Sequence, residues 1–187
     1  MFDGRRDPVR IRLTGRGGQG IMLAGAILAE AAMEDGREVA ETQEYGPEAR
    51  LGATKAEIVI GSQPIAFPAV DVPDVLLCLS RDGFKRYGHI IAPDGLRIVE
   101  ATIEAAAEPG LLSLPLKERA REAGDELAMN IVGLGALAAL TGVVGAASLE
   151  RAVRSRVKAE FLEVNLQALA AGLALGRAAG VTAKAAF

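Results

Sequence analysis

Cysteine, histidine and tryptophan are almost absent: the 187 residues hold one Cys, one His and no Trp. Cys78 and His89 together cannot assemble a zinc site, an iron–sulfur cluster or a disulfide, so any redox metal must sit elsewhere. Aromatic residues make up only 4%, which leaves few platforms for stacking on bases or sugars. Basic charge is not in excess either. With 21 Lys and Arg against 24 Asp and Glu, net −3, the chain lacks the electrostatic footprint of a nucleic-acid binder, and no nucleic-acid partner is expected. Residues 1–8 carry charge where a signal peptide would carry an apolar stretch, so a cytoplasmic location is expected.

Half of the residues are apolar and 24% are charged, enough to bury a core. The length fits a single domain over 1–187, with disorder expected at 1–8 and 181–187. Residues 127–149 carry no charge and are long enough to span a bilayer. Asn130, Thr141 and four glycines dilute that run, and Thr141-Gly142 reads as a helix end inside it. The remaining 15 or so residues are too short to span at about 1.5 Å per residue. A buried core helix is expected there, and no membrane association.

Apolar residues alternate with basic ones over 9–13, a first strand that stops at Gly15. A glycine-rich loop follows, then an Ala- and Leu-rich helix over 21–33 closed by Asp35-Gly36. Further strands are expected at 38–41, 55–61, 72–80 and 111–114. Residues 42–54 are too rich in Gly and Pro for regular structure. Ile90-Ile91 and 96–99, separated by the turn Pro93-Asp94-Gly95, read as a short hairpin or strand pair. Helices are expected at 116–123, 127–140, 149–157 and 161–175. The pattern predicts a Rossmann-like α/β domain: a mostly parallel sheet, flanking helices and a helical C-terminal third.

Gly15-Arg16-Gly17-Gly18-Gln19-Gly20 satisfies G-x-G-x-x-G between a strand and a helix, where free backbone N–H groups and the helix dipole favour an anion. Glu41 lies about 20 residues beyond, where a dinucleotide-binding fold keeps its ribose acid. A stand-alone NAD(P)- or flavin-binding oxidoreductase is therefore one reading, and a turn that merely packs helix on strand is another.

The loop Gln43-Glu44-Tyr45-Gly46-Pro47-Glu48-Ala49-Arg50-Leu51-Gly52 places an aromatic, acids and an arginine beyond the second strand, where α/β folds bind ligands; alone, it also fits a solvated loop. Taken together, the Gly-Gly-Gln-Gly loop and Tyr45-Gly46-Pro47-Glu48-Ala49-Arg50 resemble the gamma subunit of 2-oxoacid:ferredoxin oxidoreductases. The resemblance extends through Lys55 to Ile60, Pro64-Ile65, Asn130 to Ala136, Thr141-Gly142 and Asn165-Leu166, from about Val9 to Gly172. Glu44, Leu51-Gly52 and Val99-Glu100 depart from the family pattern.

The resemblance implies one subunit of a thiamine-diphosphate enzyme that decarboxylates a 2-oxoacid, passes two electrons through iron–sulfur clusters to ferredoxin and forms an acyl-CoA. The single Cys denies this chain a cluster, and Gly124-Asp125-Glu126 falls short of the thiamine motif at its third position. Thiamine diphosphate and clusters are thus expected on alpha, beta and ferredoxin-like delta subunits. The implied role here is a share of the coenzyme A pocket. Gly15, Arg16, Gly17, Gly18, Gln19 and Gly20 are the candidates for holding phosphate, with Arg50 and Lys55 as further cations. Tyr45, Gly46 and Glu48 are expected to position their loop, with no catalytic residue in this chain. Thr42-Gln43 ahead of that loop looks most like the 2-oxoglutarate group. His89, expected at a strand start, and Cys78 read as structural. Self-association of the isolated chain is left open.

Overall fold

The computed structural model describes residues 6–44 and 53–185. Val9, Ile11 and Leu13 alternate with Arg10, Arg12 and Thr14, and this period of two builds β1 (Val9–Arg16), which runs one residue past Gly15. The other strands are β2 (Glu38–Glu44), β3 (Ala53–Gly61), β4 (Val75–Cys78), β5 (Leu96–Glu100) and β6 (Leu111–Leu114). They form one sheet in the order β2-β3-β1-β4-β5-β6. From β1 to β6 the pairing is parallel, whereas β3 is antiparallel to both β1 and β2. Hence β3 alone is reversed, and it stands between β1 and β2. The expected α/β fold with a mostly parallel sheet is present.

Among the described residues six α-helices are interleaved with the strands or follow them: α1 (Ile21–Glu34), α2 (Arg81–Tyr87), α3 (Leu116–Glu122), α4 (Met129–Thr141), α5 (Ala146–Arg156) and α6 (Ala159–Ala185). All but α2 lie on the face bearing Ile11, Leu13, Ile58, Leu77 and Ile98, which joins their apolar sides in one core. α2 covers the opposite face with a small cluster of Leu76, Cys78, Tyr87, Val99 and Ile103. That face also carries polar groups. The Arg12 guanidinium is buried there 2.7 Å from Glu57 and lies over the Tyr87 ring.

The charge-free stretch becomes α4, apolar on all sides because it is enclosed, with Ile131, Val132, Leu134 and Leu137 fully buried. It ends where expected, at Gly142, whose φ of +65° an L side chain rarely adopts. Among the described residues no helix is long and apolar enough to cross a membrane.

Several local expectations fail. At both ends of the stretch 42–54, expected to be irregular, the sheet intrudes, because β2 continues to Glu44 and β3 starts at Ala53, with Glu44 paired to Lys55. Ile90-Ile91 forms no strand: Gly95 N–H donates to the Ala92 carbonyl at 2.8 Å, and the turn feeds β5, which pairs in parallel with β4 and β6. His89 accordingly stands in an exposed connection and not at a strand start. The helix α2 was not foreseen, although Ser80 caps it by accepting Gly83 N–H at 3.1 Å. At the N-terminal side, residues 6–8 are held in place, Arg6 by Asp74 and Asp7 by Ser62. The bonds from Ser62 hold the Asp7 carboxyl below its ordinary range.

Candidate ligand-binding site

Between β1 and α1 the chain reverses in four residues. Gly18 and Gly20 take φ of +88° and +68°, which explains glycine at both. Gly20 is the N-cap of α1 and offers no side chain to the first amides, the groups that an anion can occupy. A Cβ at Gly18 would meet nothing within 4 Å, so crowding of the turn is not what requires this glycine; its backbone angle is.

The side chains around the turn have defined duties. Gln19 Oε1 accepts the Arg16 N–H at 2.6 Å, and its Nε2 donates to the Leu79 carbonyl at 3.2 Å, pinning the turn to the end of β4. Gly15 is a packing glycine: a Cβ there would stand 2.7 Å from Gln19 and Ile21. On the other flank Asn130, almost wholly buried, donates to the Gly20 carbonyl at 3.0 Å and accepts the Ile131 N–H at 2.9 Å.

A cleft of about 350 Å³ opens beside Gly18 and Gly20. Leu23 of α1, Leu127 and Ala128 ahead of α4, and Arg156, Lys158, Phe161 and Asn165 around the α5–α6 junction line it. The N-terminal ends of α1, α4 and α6 all reach its wall, each contributing a partial positive charge. Leu127 is held by a short 3₁₀ turn, Glu126–Ala128, in which Asp125 accepts the Leu127 N–H at 2.8 Å. Glu126 bonds Lys117 and Arg121 of α3, and these cations hold its carboxyl below the usual carboxylate range. Arg156 is neutralised by Glu30 of α1. Lys158 has no side-chain partner among the described residues.

Other candidates lie elsewhere. Arg16 pairs with Asp82 of α2 at 3.2 Å, both exposed, and does not line the cleft. Lys55 contacts Glu57 at 3.1 Å and approaches the Tyr87 ring on the polar face of the sheet. Tyr45, Gly46, Glu48 and Arg50 lie outside the described residues. The strand ends that flank them are at the glycine turn, since Ala53 pairs with Arg16.

Glu41 does not serve the dinucleotide reading. β3 separates β2 from β1, moving Glu41 one strand outward. Its carboxylate accepts from Gln43 at 2.8 Å and stands against the middle of α1, where a Cβ on Gly25 would be 2.9 Å away. Cys78 is fully buried, and burial pushes its thiol up to about 12, so it is no metal ligand or nucleophile as it stands. Among the described residues no group of three or more His, Cys, Asp or Glu could hold a metal ion, and one Cys does not fit an iron–sulfur cluster.

Sequence reasoning did not single out Leu23, Leu127, Arg156, Lys158, Phe161 or Asn165 as cleft residues. They come from three distant segments, and although all lie within the span of the family resemblance, only Asn165 belongs to one of the motifs that carry it.

Fold and site define an α/β domain with a glycine turn and an adjoining ligand-sized cleft, and residues 10–175 match the family described as pyruvate ferredoxin/flavodoxin oxidoreductase. The 2-oxoglutarate synthase subunit KorC of Methanocaldococcus jannaschii is 41% identical over 172 residues, covering 87% of this chain and 90% of that one. The gamma subunit of a keto/oxoacid ferredoxin oxidoreductase from Geobacter sulfurreducens has a similar structure, with TM-score 0.79, 37% identity, and 91% and 99% of the two chains covered. A 2-oxoglutarate:ferredoxin oxidoreductase from Magnetococcus marinus, solved with 2-oxoglutarate, coenzyme A and succinyl-CoA bound, shares the fold. There the TM-score is 0.83 at 22% identity, over 93% of this chain and 32% of that one. The chain belongs to the pyruvate ferredoxin/flavodoxin oxidoreductase family, as a gamma-type subunit of a 2-oxoacid:ferredoxin oxidoreductase.

Proposed function

We propose that this subunit serves an enzyme converting 2-oxoglutarate and coenzyme A to succinyl-CoA and carbon dioxide with two electrons passed to ferredoxin, and that it supplies part of the coenzyme A pocket. Alpha, beta and ferredoxin-like delta subunits are the partners in this reading, and the cytoplasm its location. Thiamine diphosphate, when bound on those partners, supplies the decarboxylation chemistry, and their iron–sulfur clusters carry the electrons. This chain's part is binding and orientation. The observation that carries the reading is the cleft beside Gly18 and Gly20, where uncapped α1 amides and an apolar wall suit a ligand with a diphosphate and a large apolar body.

2-Oxoglutarate is favoured over pyruvate by the identity with the 2-oxoglutarate synthase subunit and by the loop that follows Thr42-Gln43. The deciding experiment uses the assembled complex, native and Gly18→Val. Valine at a φ of +88° distorts the turn, so the apparent KM for coenzyme A should rise about tenfold or more, roughly 1.4 kcal/mol of binding. An unchanged KM in a variant that assembles would make the turn structural only. In the native complex, kcat/KM for 2-oxoglutarate should exceed that for pyruvate, and the reverse would overturn the substrate.

A further inference from the structure

We infer that the pocket at the start of β1, between Arg10 and the loop over 62–73, docks a neighbouring subunit of the assembled oxidoreductase through a surface where a carboxylate stands beside an apolar side chain. This rests on the partner subunits proposed above and not on coenzyme A. Three observations carry it.

The first is charge. Arg10 is half-buried in a pocket of about 280 Å³ whose walls include Asp7, Pro8, Pro64, Ile65 and Phe67, and its guanidinium has no partner among the described residues. The acid in that lining, Asp7, is committed: it accepts the Ser62 N–H at 2.8 Å and the Ser62 hydroxyl, and it pairs with Arg37 at 3.6 Å. Asp74 nearby is engaged by Arg6 and by the Arg10 backbone N–H at 2.8 Å. A cation half-withdrawn from water, with the acids around it occupied, calls for a carboxylate from outside, and an arginine meets one in short, charge-assisted bonds.

The second is apolar exposure on a tethered support. Phe67 is 60% exposed and Val72 49%, and Pro64, Ala66 and Pro68 are exposed beside them. The loop has neither helix nor strand, yet it is held along its length. Ser62 is bound by Asp7, the Val70 carbonyl accepts from the buried Arg12 guanidinium, and the Pro73 carbonyl accepts the Ala92 N–H at 2.9 Å. Pro64, Pro68 and Pro73 restrict its backbone further. An aromatic displayed on a backbone already ordered loses little entropy on association, as an interface anchor requires.

The third is place. Arg10 and Arg16 stand six residues apart on β1, roughly 20 Å at about 3.3 Å per residue, so a subunit docked here leaves the glycine turn and its cleft open. A second copy of this chain suits the pocket poorly. A two-fold contact centred on it would set Arg10 against Arg10, with Asp7 already occupied, whereas a different subunit is free to bring the missing carboxylate.

The test dilutes the assembled complex carrying native, Phe67→Ser, Arg10→Gln, Arg10→Lys or Met33→Ser chains, and mass photometry reads the fraction that retains this chain. Phe67→Ser and Arg10→Gln should each raise the dissociation constant about tenfold, and Arg10→Lys should recover part of the loss. Met33, 56% exposed on α1 against the other face of the sheet, is the control, and Met33→Ser should leave the constant unmoved. Added salt should loosen the native complex more than the Arg10→Gln complex. Where every variant is assembled, kcat and the KM for coenzyme A should equal the native values, which also shows that the variants fold. Retention of Phe67→Ser and Arg10→Gln chains at the native constant, or equal salt sensitivity of the native and Arg10→Gln complexes, overturns the proposal. If the variants separate copies of this chain from one another while each copy keeps its other subunits, the occupant is a second copy and the proposal falls. If the native chain joins no other subunit, the partner reading falls with it; if native and variant chains join equally well, this surface alone is refuted.

Discussion

Asn130 of α4 closes on Gly20, the N-cap of α1, across 110 residues of sequence, and a Cβ on Gly20 would stand 2.4 Å from the Asn130 Nδ2. This contact joins the glycine turn to the helix at the cleft's opposite wall. Gly20 therefore answers two demands, a positive φ and a close approach.

Gly20→Ala should cost about 1–3 kcal/mol, because strain at φ +68° and displacement of Asn130 act together. Asn130→Ala should cost about 1–2 kcal/mol by leaving the buried Ile131 N–H without its partner. Urea unfolding reads both. Each variant should also raise the complex's KM for coenzyme A, since each loosens the turn.

The α4–α6 contact is built on backbone approach. A Cβ on Gly172 would fall 2.1 Å from the Val132 carbonyl oxygen, and on Gly176 2.6 Å from that of Ala136. Gly172→Ala should separate the helices and destabilise by about 1–3 kcal/mol or more. Gly180→Ala meets only Leu140 at 3.6 Å and should be neutral or stabilising by up to about 1 kcal/mol through helix propensity. Thermal melts of the pair would expose the contrast; equal effects would refute this account of the packing.

Gly145 caps α5 without a side chain of its own, and Asp35 at the end of α1 supplies the missing acceptor. Its carboxylate takes the Gly145 N–H at 2.6 Å and the Ser148 hydroxyl. Asp35→Ala should cost about 1–3 kcal/mol. Ser148→Ala keeps the backbone bond and should cost less, and a double variant should be less than additive.

Cys78 is the chain's sole thiol, fully buried, with its Sγ donating to the Ser80 carbonyl at 3.3 Å. Burial raises it from 9.0 to about 12. Native protein at pH 8 should therefore resist alkylation, and urea should release one thiol per chain. The unfolded chain loses this proton above about pH 9 while the folded one keeps it to about 12, so stability should fall as pH rises through that window. The slope approaches about 1.4 kcal/mol per pH unit from this group, and Cys78→Ala should remove that part.

Much of the fold was legible in local signals. The period-two pattern of β1, the glycine turn, the Ala-rich α1 and the halt of α4 at Gly142 are each written in neighbouring residues, because strand periodicity, positive φ and helix capping are short-range demands. The same locality let Gly18 and Gly20 be read as part of a tight turn between strand and helix, where both take a positive φ. What long-range packing decided was not readable there. The reversed β3 enters between β1 and β2, a matter of strand pairing that no local pattern dictates, and it removes Glu41 from the place a dinucleotide fold would give it. Ile90-Ile91 has strand composition but ends up outside the sheet, since parallel pairing between β4 and β5 required a connection there. The cleft is the clearest case: Gly20, Leu127 and Lys158 become neighbours only because α4 and α6 pack tightly enough to bring three helix starts to one wall, and that closeness is set by Gly172 and Gly176 against backbone far away in sequence.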